Sequence, residues 1–229
     1  MFQAGPGPVN EAASERRGWG PYVNNGGTVL AIAGKGYVIV GGDTRMSSGY
    51  SIMSRDVTKL HQLTSKCVLA TAGMQAEAVT LRKVLDYKVV DYAHKHRREI
   101  STDSVSQMLS NTLYYKRFFP YYTFNVLAGL DHHGNGAVYG YDAIGSFELM
   151  QYCVTGTGTQ LITPILDNQV GFKTQPSNKR DLSLEEALDL AKDCFTCAGE
   201  RDIYTGDAVD LLIITKDGVK KEKFELKLD

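Results

Sequence analysis

Residues 26–45 read GGTVLAIAGKGYVIVGGDTR. Two apolar runs, 28–33 and 37–42, are rich in Val, Ile, Leu and Ala, and Gly34-Lys35-Gly36 joins them. Short β-branched runs around a glycine-flanked turn predict an antiparallel hairpin. The turn is not a phosphate loop. That loop needs Gly-x-x-x-x-Gly-Lys, then Ser or Thr, then a helix, whereas here Gly36 follows Lys35 and a strand follows Gly36. The leading Gly26-Gly27 pair fits a ligand loop, a masked nucleophile or a bend before a strand.

Working outward, 50–54 and 57–62 are weaker extended segments, and Cys67–Gly73 is a strand closing on a glycine suited to a sharp strand-to-helix transition. From Gln75 to His96 the period changes. Ala78, Leu81, Leu85, Val89 and Tyr92 recur at helical spacing among charged residues. Ser101 or Thr102 caps a second helix with Val105, Met108, Leu109 and Thr112 inside, ending before Pro120. YYTFNVLAGL, GAVYGYD and SFELMQYCVT then read as an antiparallel meander. A third helix starts after Gly158 and runs towards Asp167, with Pro164 in its first turns. Residues 168–181 form a loop. Ser183-Leu-Glu-Glu186 is a capping box, followed by a helix face of Leu184, Leu188, Ala191, Phe195 and Ala198. A hairpin around Asp217-Gly218 closes the chain. Hairpins without regular βαβ alternation predict a layered α+β sandwich, with two sheets face to face and helices outside.

The 229 residues fit one domain of ordinary size. Net charge is −1, from 25 basic and 26 acidic residues, which gives no nucleic-acid footprint. The apolar runs are strand-sized, so no membrane span is expected. MFQAGPGPVNEAASERRGWG has no apolar core of signal-peptide length and reads as a flexible arm. The basic stretch from His94 to Glu99 reads as the solvated end of a helix. Cys67, Cys153, Cys194 and Cys197, without a secretory signal, fit a reduced compartment. Cys194-Phe-Thr-Cys197 has zinc spacing but sits in a helix without a second pair, and His132-His133 sits in a hairpin turn, so no metal site is expected. Gly156–Leu161 fits either an anion-binding turn or a tight strand-to-helix turn. Neither a Gly-x-Ser-x-Gly elbow nor a His-Glu-x-x-His pair occurs.

From about residue 22 onward the chain resembles the proteasome beta subunits, within the N-terminal-nucleophile hydrolase fold. GGTVLAIAGKGYVIVGGDTR carries the resemblance, with GYSIMSRDVTK, FFPYYTFNVLAGLD, ILDNQVGFK and ERDIYTGDAVDLLIITKDG. The combination looks most like the beta type-1 class, the sixth position of the eukaryotic beta ring. It implies a four-layer αββα sandwich over 26–229 and an N-terminal extension over 1–25.

Active members of that family attack peptides with a free N-terminal threonine, whose own amine takes the proton, helped by a lysine and an aspartate that orients it. Backbone N–H groups hold the oxyanion. By resemblance, Asp43 matches the orienting aspartate and Lys59 the lysine. Gly73 matches the oxyanion-hole glycine, Thr157 a supporting serine, and Asp202 and Thr205 further polar support. The nucleophile position falls on Gly26 or Gly27, neither of which has a side chain, so no catalytic residue is expected. The same framework also reads as structure alone, with Asp43 and Lys59 as a buried ion pair and the threonines satisfying turns.

The resemblance therefore implies a non-catalytic beta subunit of the 20S core particle, in cytoplasm and nucleus, without cofactor. Its partners would be beta subunits of its own and the opposite ring, and alpha-ring subunits. The competing reading is an active hydrolase using Thr28 after cleavage at Gly27-Thr28. Thr28 is one residue out of register, and such a slip turns a strand side chain to the other face. A nucleotide-binding module fails for want of the phosphate loop.

Overall fold

The computed structural model describes residues 20–175 and 179–229. Strands β1 (Thr28–Gly34) and β2 (Tyr37–Asp43) pair antiparallel with Gly34 opposite Tyr37. Lys35 and Gly36 are thus a two-residue turn, and Gly36 supplies the positive φ (79°) that a type II turn needs at its second central residue. After Asp43 the chain makes a small hairpin, β3 (Met46–Ser48) and β4 (Ser51–Ser54). Next come β5 (Leu60–Thr64) and β6 (Cys67–Gly73), then helices α1 (Gln75–His96) and α2 (Thr102–Tyr115). Strands β7 (Thr123–Leu130), β8 (Gly136–Tyr141), β9 (Phe147–Met150) and β10 (Tyr152–Gly156) follow. Helices α3 (Thr159–Gln169) and α4 (Leu184–Arg201) precede the last hairpin, β11 (Ala208–Thr215) and β12 (Gly218–Glu225).

Two five-stranded sheets result, ordered β10-β1-β2-β11-β12 and β5-β6-β7-β8-β9. Alternating residues of β1 and β2 face different layers. Val29, Ala31, Val38 and Val40 meet Val68, Ala70, Val126 and Val138 between the sheets. Leu30, Ile32 and Ile39 point outward under Leu166, Ala191 and Phe195 of α3 and α4. Leu69 and Leu127, on the other sheet's outer face, are covered by Leu81, Leu85, Leu109 and Leu113 of α1 and α2. Burial on both faces explains why these strands are continuous apolar runs. The layers are helix, sheet, sheet, helix: the expected αββα sandwich.

Helix α4 carries the full capping box, Ser183 and Glu186 each bonding the other's backbone. Cys194 packs in the core while Cys197 is exposed. Pro164 lies in the second turn of α3, where the unpaired carbonyl it leaves belongs to solvent-exposed Gln160.

Two expectations needed correction. SFELMQYCVT is not one meander strand. It ends in the second sheet at Met150, turns at Gln151, whose carbonyl accepts from Ala33 N at 2.8 Å, and enters the first sheet as β10 beside β1. No glycine or proline marks this crossing, because Tyr152 drives it by packing into the α3–α4 core. The strand expected at 57–62 starts only at Leu60. Val57 N bonds Thr44 O, and Lys59, whose carbonyl accepts from Thr71 N of β6 at 3.0 Å, turns its side chain inward to Asp43.

Candidate functional site

The ends of β1, β2 and β6 meet at one edge of the sandwich, and the framework residues converge there. Asp43, the last residue of β2, is fully buried. Its Oδ1 accepts from Thr28 N at 2.8 Å and Lys59 Nζ at 2.7 Å, and its Oδ2 from Arg45 N at 3.2 Å and Gly206 N at 3.4 Å. Burial pushes the Asp43 carboxyl above its ordinary range, while Lys59 and the N–H donors pull the other way. Lys59 Nζ also donates to Arg45 O at 2.6 Å. The ammonium is thereby fixed at the floor of the cleft.

Gly27 stands over that ammonium. Its φ is +90°, and a β-carbon on it would overlap Lys59 Nζ and lie 3.2 Å from Asp43 Oδ1. A β-carbon on Gly26 would instead strike Tyr204 at 2.7 Å. The position facing the lysine is therefore Gly27, with Gly26 one peptide ahead of it. The Gly26 carbonyl accepts from Gly73 N at 3.4 Å, and the Gly27 carbonyl from Thr157 N at 3.0 Å and Thr157 Oγ1 at 3.4 Å. Both N–H groups aimed into the cleft thus hold the chain's own backbone.

The segment ahead of the glycines is held as firmly. Asn25 N donates to Gly73 O at 3.2 Å, Ser47 N donates to Asn25 O at 3.1 Å, and Gln75 N donates to Asn25 Oδ1 at 2.9 Å. Tyr22 stacks between Phe119 and Tyr122 and donates its hydroxyl to Pro120 O at 2.7 Å. Of the expected extension, residues 1–19 lie outside the described residues, while residues 22–25 lie along the cleft. What remains open is a hollow of about 200 Å³ lined by Asn24, Gly26, Gly27, Gly73, Tyr122, Phe124, Gly156 and Thr157. A larger hollow of about 570 Å³ lies at the other end of β1, by Lys35 and Asp131, away from all of these groups.

Thr28 faces the opposite way. Its side chain is fully buried, accepts from Gly158 N at 2.8 Å and lies 2.7 Å from Thr205 Oγ1. Thr205 donates its hydroxyl to Asp202 Oδ2 at 2.6 Å, so the Thr28 hydroxyl must be the donor to Thr205. The chain of bonds runs Gly158 N–H, Thr28 O–H, Thr205 O–H, Asp202 carboxylate. It ties β1 to the start of α3 and the end of α4, and it leaves the Thr28 hydroxyl no lone task in the cleft. Gly156–Leu161 is a tight strand-to-helix turn whose Gly158 N–H is occupied by Thr28.

All nine candidate positions named from the sequence fall in this one region. The sequence reading overlooked Asn25, Ser47, Gly158 and the Arg45–Asp207 pair (2.8 Å) beneath the site. The Asn24-Asn25 doublet was the available signal, since asparagine side chains bond nearby backbone. Ser47 and Gly158 act through backbone N–H, which no side-chain pattern reveals.

A family model described as Proteasome subunit matches residues 23–214. The chain belongs to the proteasome subunit family. It is 54% identical over 211 residues to Proteasome subunit beta type-1 of Dictyostelium discoideum, covering 91% of this chain and 89% of that protein. It is 50% identical over 217 residues to Proteasome subunit beta type-1 of Arabidopsis thaliana, covering 92% and 97%. Identity to Proteasome subunit beta type-1 of Drosophila melanogaster is 45% over 212 residues, covering 91% and 90%. Membership makes this subunit a component of the proteasome core, assembled with other subunits and working in protein degradation.

Proposed function

We propose that this subunit is non-catalytic. It takes the sixth position of the β ring, beside other β subunits, across from the opposite β ring and under an α ring. It serves there as wall and scaffold of the chamber in which ubiquitin-marked and other proteins are cut, in cytoplasm and nucleus. The carrying observation is Gly27. Acyl transfer needs an attacking atom, and the residue over the Lys59 ammonium offers none. Lys59, Asp43 and the Gly73 N–H can polarise and orient, but they cannot start the reaction. The Gly26 carbonyl bonded to Gly73 N supports the same reading, since a peptide substrate would have to displace it.

The test is intact-mass analysis of the subunit from purified particles, with a probe that reacts with N-terminal threonine. The expected result is no chain beginning at Thr28 and no label on this subunit, while label appears elsewhere in the particle. A labelled chain beginning at Thr28 would favour the competing hydrolase.

A further inference from the structure

Helix α2 ends at Tyr114-Tyr115 and is followed by Lys116-Arg117-Phe118-Phe119; none of these four rings belongs to the buried core, and Phe119 stacks on Tyr22. Tyr115 is 92% exposed and Phe118 94% exposed, with Tyr114 and Phe119 more than half exposed. Side chains of this size left open together mark a contact surface. Tyr114 and Tyr115 form one wall of an apolar groove of about 440 Å³, and Ile144 and Gly145 of the β8–β9 turn form the other. Ser110 Oγ donates to Gly145 O at 2.6 Å and fixes the width between the walls.

Arg117 lies against Tyr114 of the groove wall. Its guanidinium lies 5.8 Å from the Tyr114 ring centre and 5.3 Å from that of Phe118, and it forms no ion pair with any described residue. The turn's own acid, Asp142, spends Oδ1 on the N–H groups of Ile144 and Ser146. A guanidinium braced by rings beside an open apolar groove suits a carboxylate next to an aliphatic side chain. Aromatic and arginine anchors of this kind dominate interface energetics. The chain's own residues 1–19 have no net acidic charge to offer it. They hold two acids, Glu11 and Glu15, balanced by Arg16 and Arg17.

We propose that this groove docks a segment of a neighbouring proteasome subunit, one that inserts an aliphatic side chain and pairs an adjacent Asp or Glu with Arg117. The inference rests on the reading of this chain as a particle component. Its test is to place the photo-cross-linker p-benzoylphenylalanine at Tyr115 in the full chain, isolate assembled particles, and map the cross-linked peptide by mass spectrometry. The expected peptide comes from another proteasome subunit and carries an aliphatic residue within two positions of Asp or Glu. Arg117→Glu should lower the cross-link yield at least tenfold, while the matched reversal Lys83→Glu on the exposed face of α1 leaves it unchanged. Four results would each overturn the proposal with the chain still in the particle. They are a cross-link to residues 1–19 or a second copy of this chain, a cross-linked segment without an acid, no cross-link, or indifference to Arg117→Glu. Absence of the chain from particles would sink the parent reading, and this one with it.

Discussion

Lys59 points its ammonium at Gly27, a residue with no side chain to receive it. The glycine is required by that approach and by its own φ of +90°. Both conditions make Gly27→Ala costly, and Gly36→Ala separates them. Gly36 has a φ of +79° but open space around its β-position. Gly36→Ala should cost about 1 kcal/mol from backbone strain alone. Gly27→Ala should cost about 1–3 kcal/mol more, because Lys59 must also leave its bonds. Urea midpoints of the two variants check this, and equal losses would mean the lysine is free to move.

The Asp43–Lys59 pair is buried, so removing one partner strands the other. Lys59→Met should cost about 3–5 kcal/mol near neutral pH. Asp43→Asn with Lys59→Met together should cost well under the sum of the singles. Burial already pushes the Asp43 carboxyl up, and losing Lys59 removes its opposing pull. A folded-state value above the unfolded one means the native state binds the extra proton. Stability of Lys59→Met should then be higher at pH 5 than at pH 8, falling as pH rises through the folded value. A defect that does not change between those pH values would contradict the pairing.

Thr28 is a structural hydroxyl in this geometry. Thr28→Val keeps the shape but removes the oxygen that Gly158 N–H bonds and the donor to Thr205. The expected loss is about 1–3 kcal/mol of stability, the cost of a stranded buried N–H. Peptidase activity per assembled particle should be unchanged. Activity that fell while assembly held would point to Thr28 as a nucleophile.

The hairpin of 28–43 was legible because its apolar runs and its glycine-flanked turn agree, and α2 and α4 because apolar stripe and N-cap agree. Resemblance brought Asp43, Lys59 and Gly73 together, which spacing alone could not do: they lie on three different strands or loops. Two features stayed hidden. The crossing at Gln151 has no turn residue, since sheet choice there follows from where Tyr152 packs. The choice between Gly26 and Gly27 needed the direction in which Lys59 points. The hairpin itself is regular, so counting along it leaves two registers open.

Beneath the site, Arg45 is buried with Asp207. Its Nε donates to Oδ2 at 2.8 Å and its Nη2 to Oδ1 at 3.2 Å, while Arg55 reaches Oδ1 from the surface. Burial pushes the Asp207 carboxyl up, but the two arginines outweigh it and hold the group below its ordinary value. A depressed folded value gives stability that is present above the unfolded pKa of about 4 and is lost as pH falls through the folded one. Asn suits the test, because Asp207 has a φ of +69° and asparagine tolerates that region. At pH 7, Asp207→Asn should lower stability by about 1.5–3 kcal/mol, since buried Arg45 loses its bidentate charged partner and keeps only the Asp229 carboxylate, 3.2 Å away. Between pH 4 and pH 2 the wild-type chain should lose stability faster than the variant, so that their urea midpoints converge. Parallel curves across that range would mean that Asp207 takes no part in the acid transition, and that the strength of the pair lies in its hydrogen bonds rather than its charge.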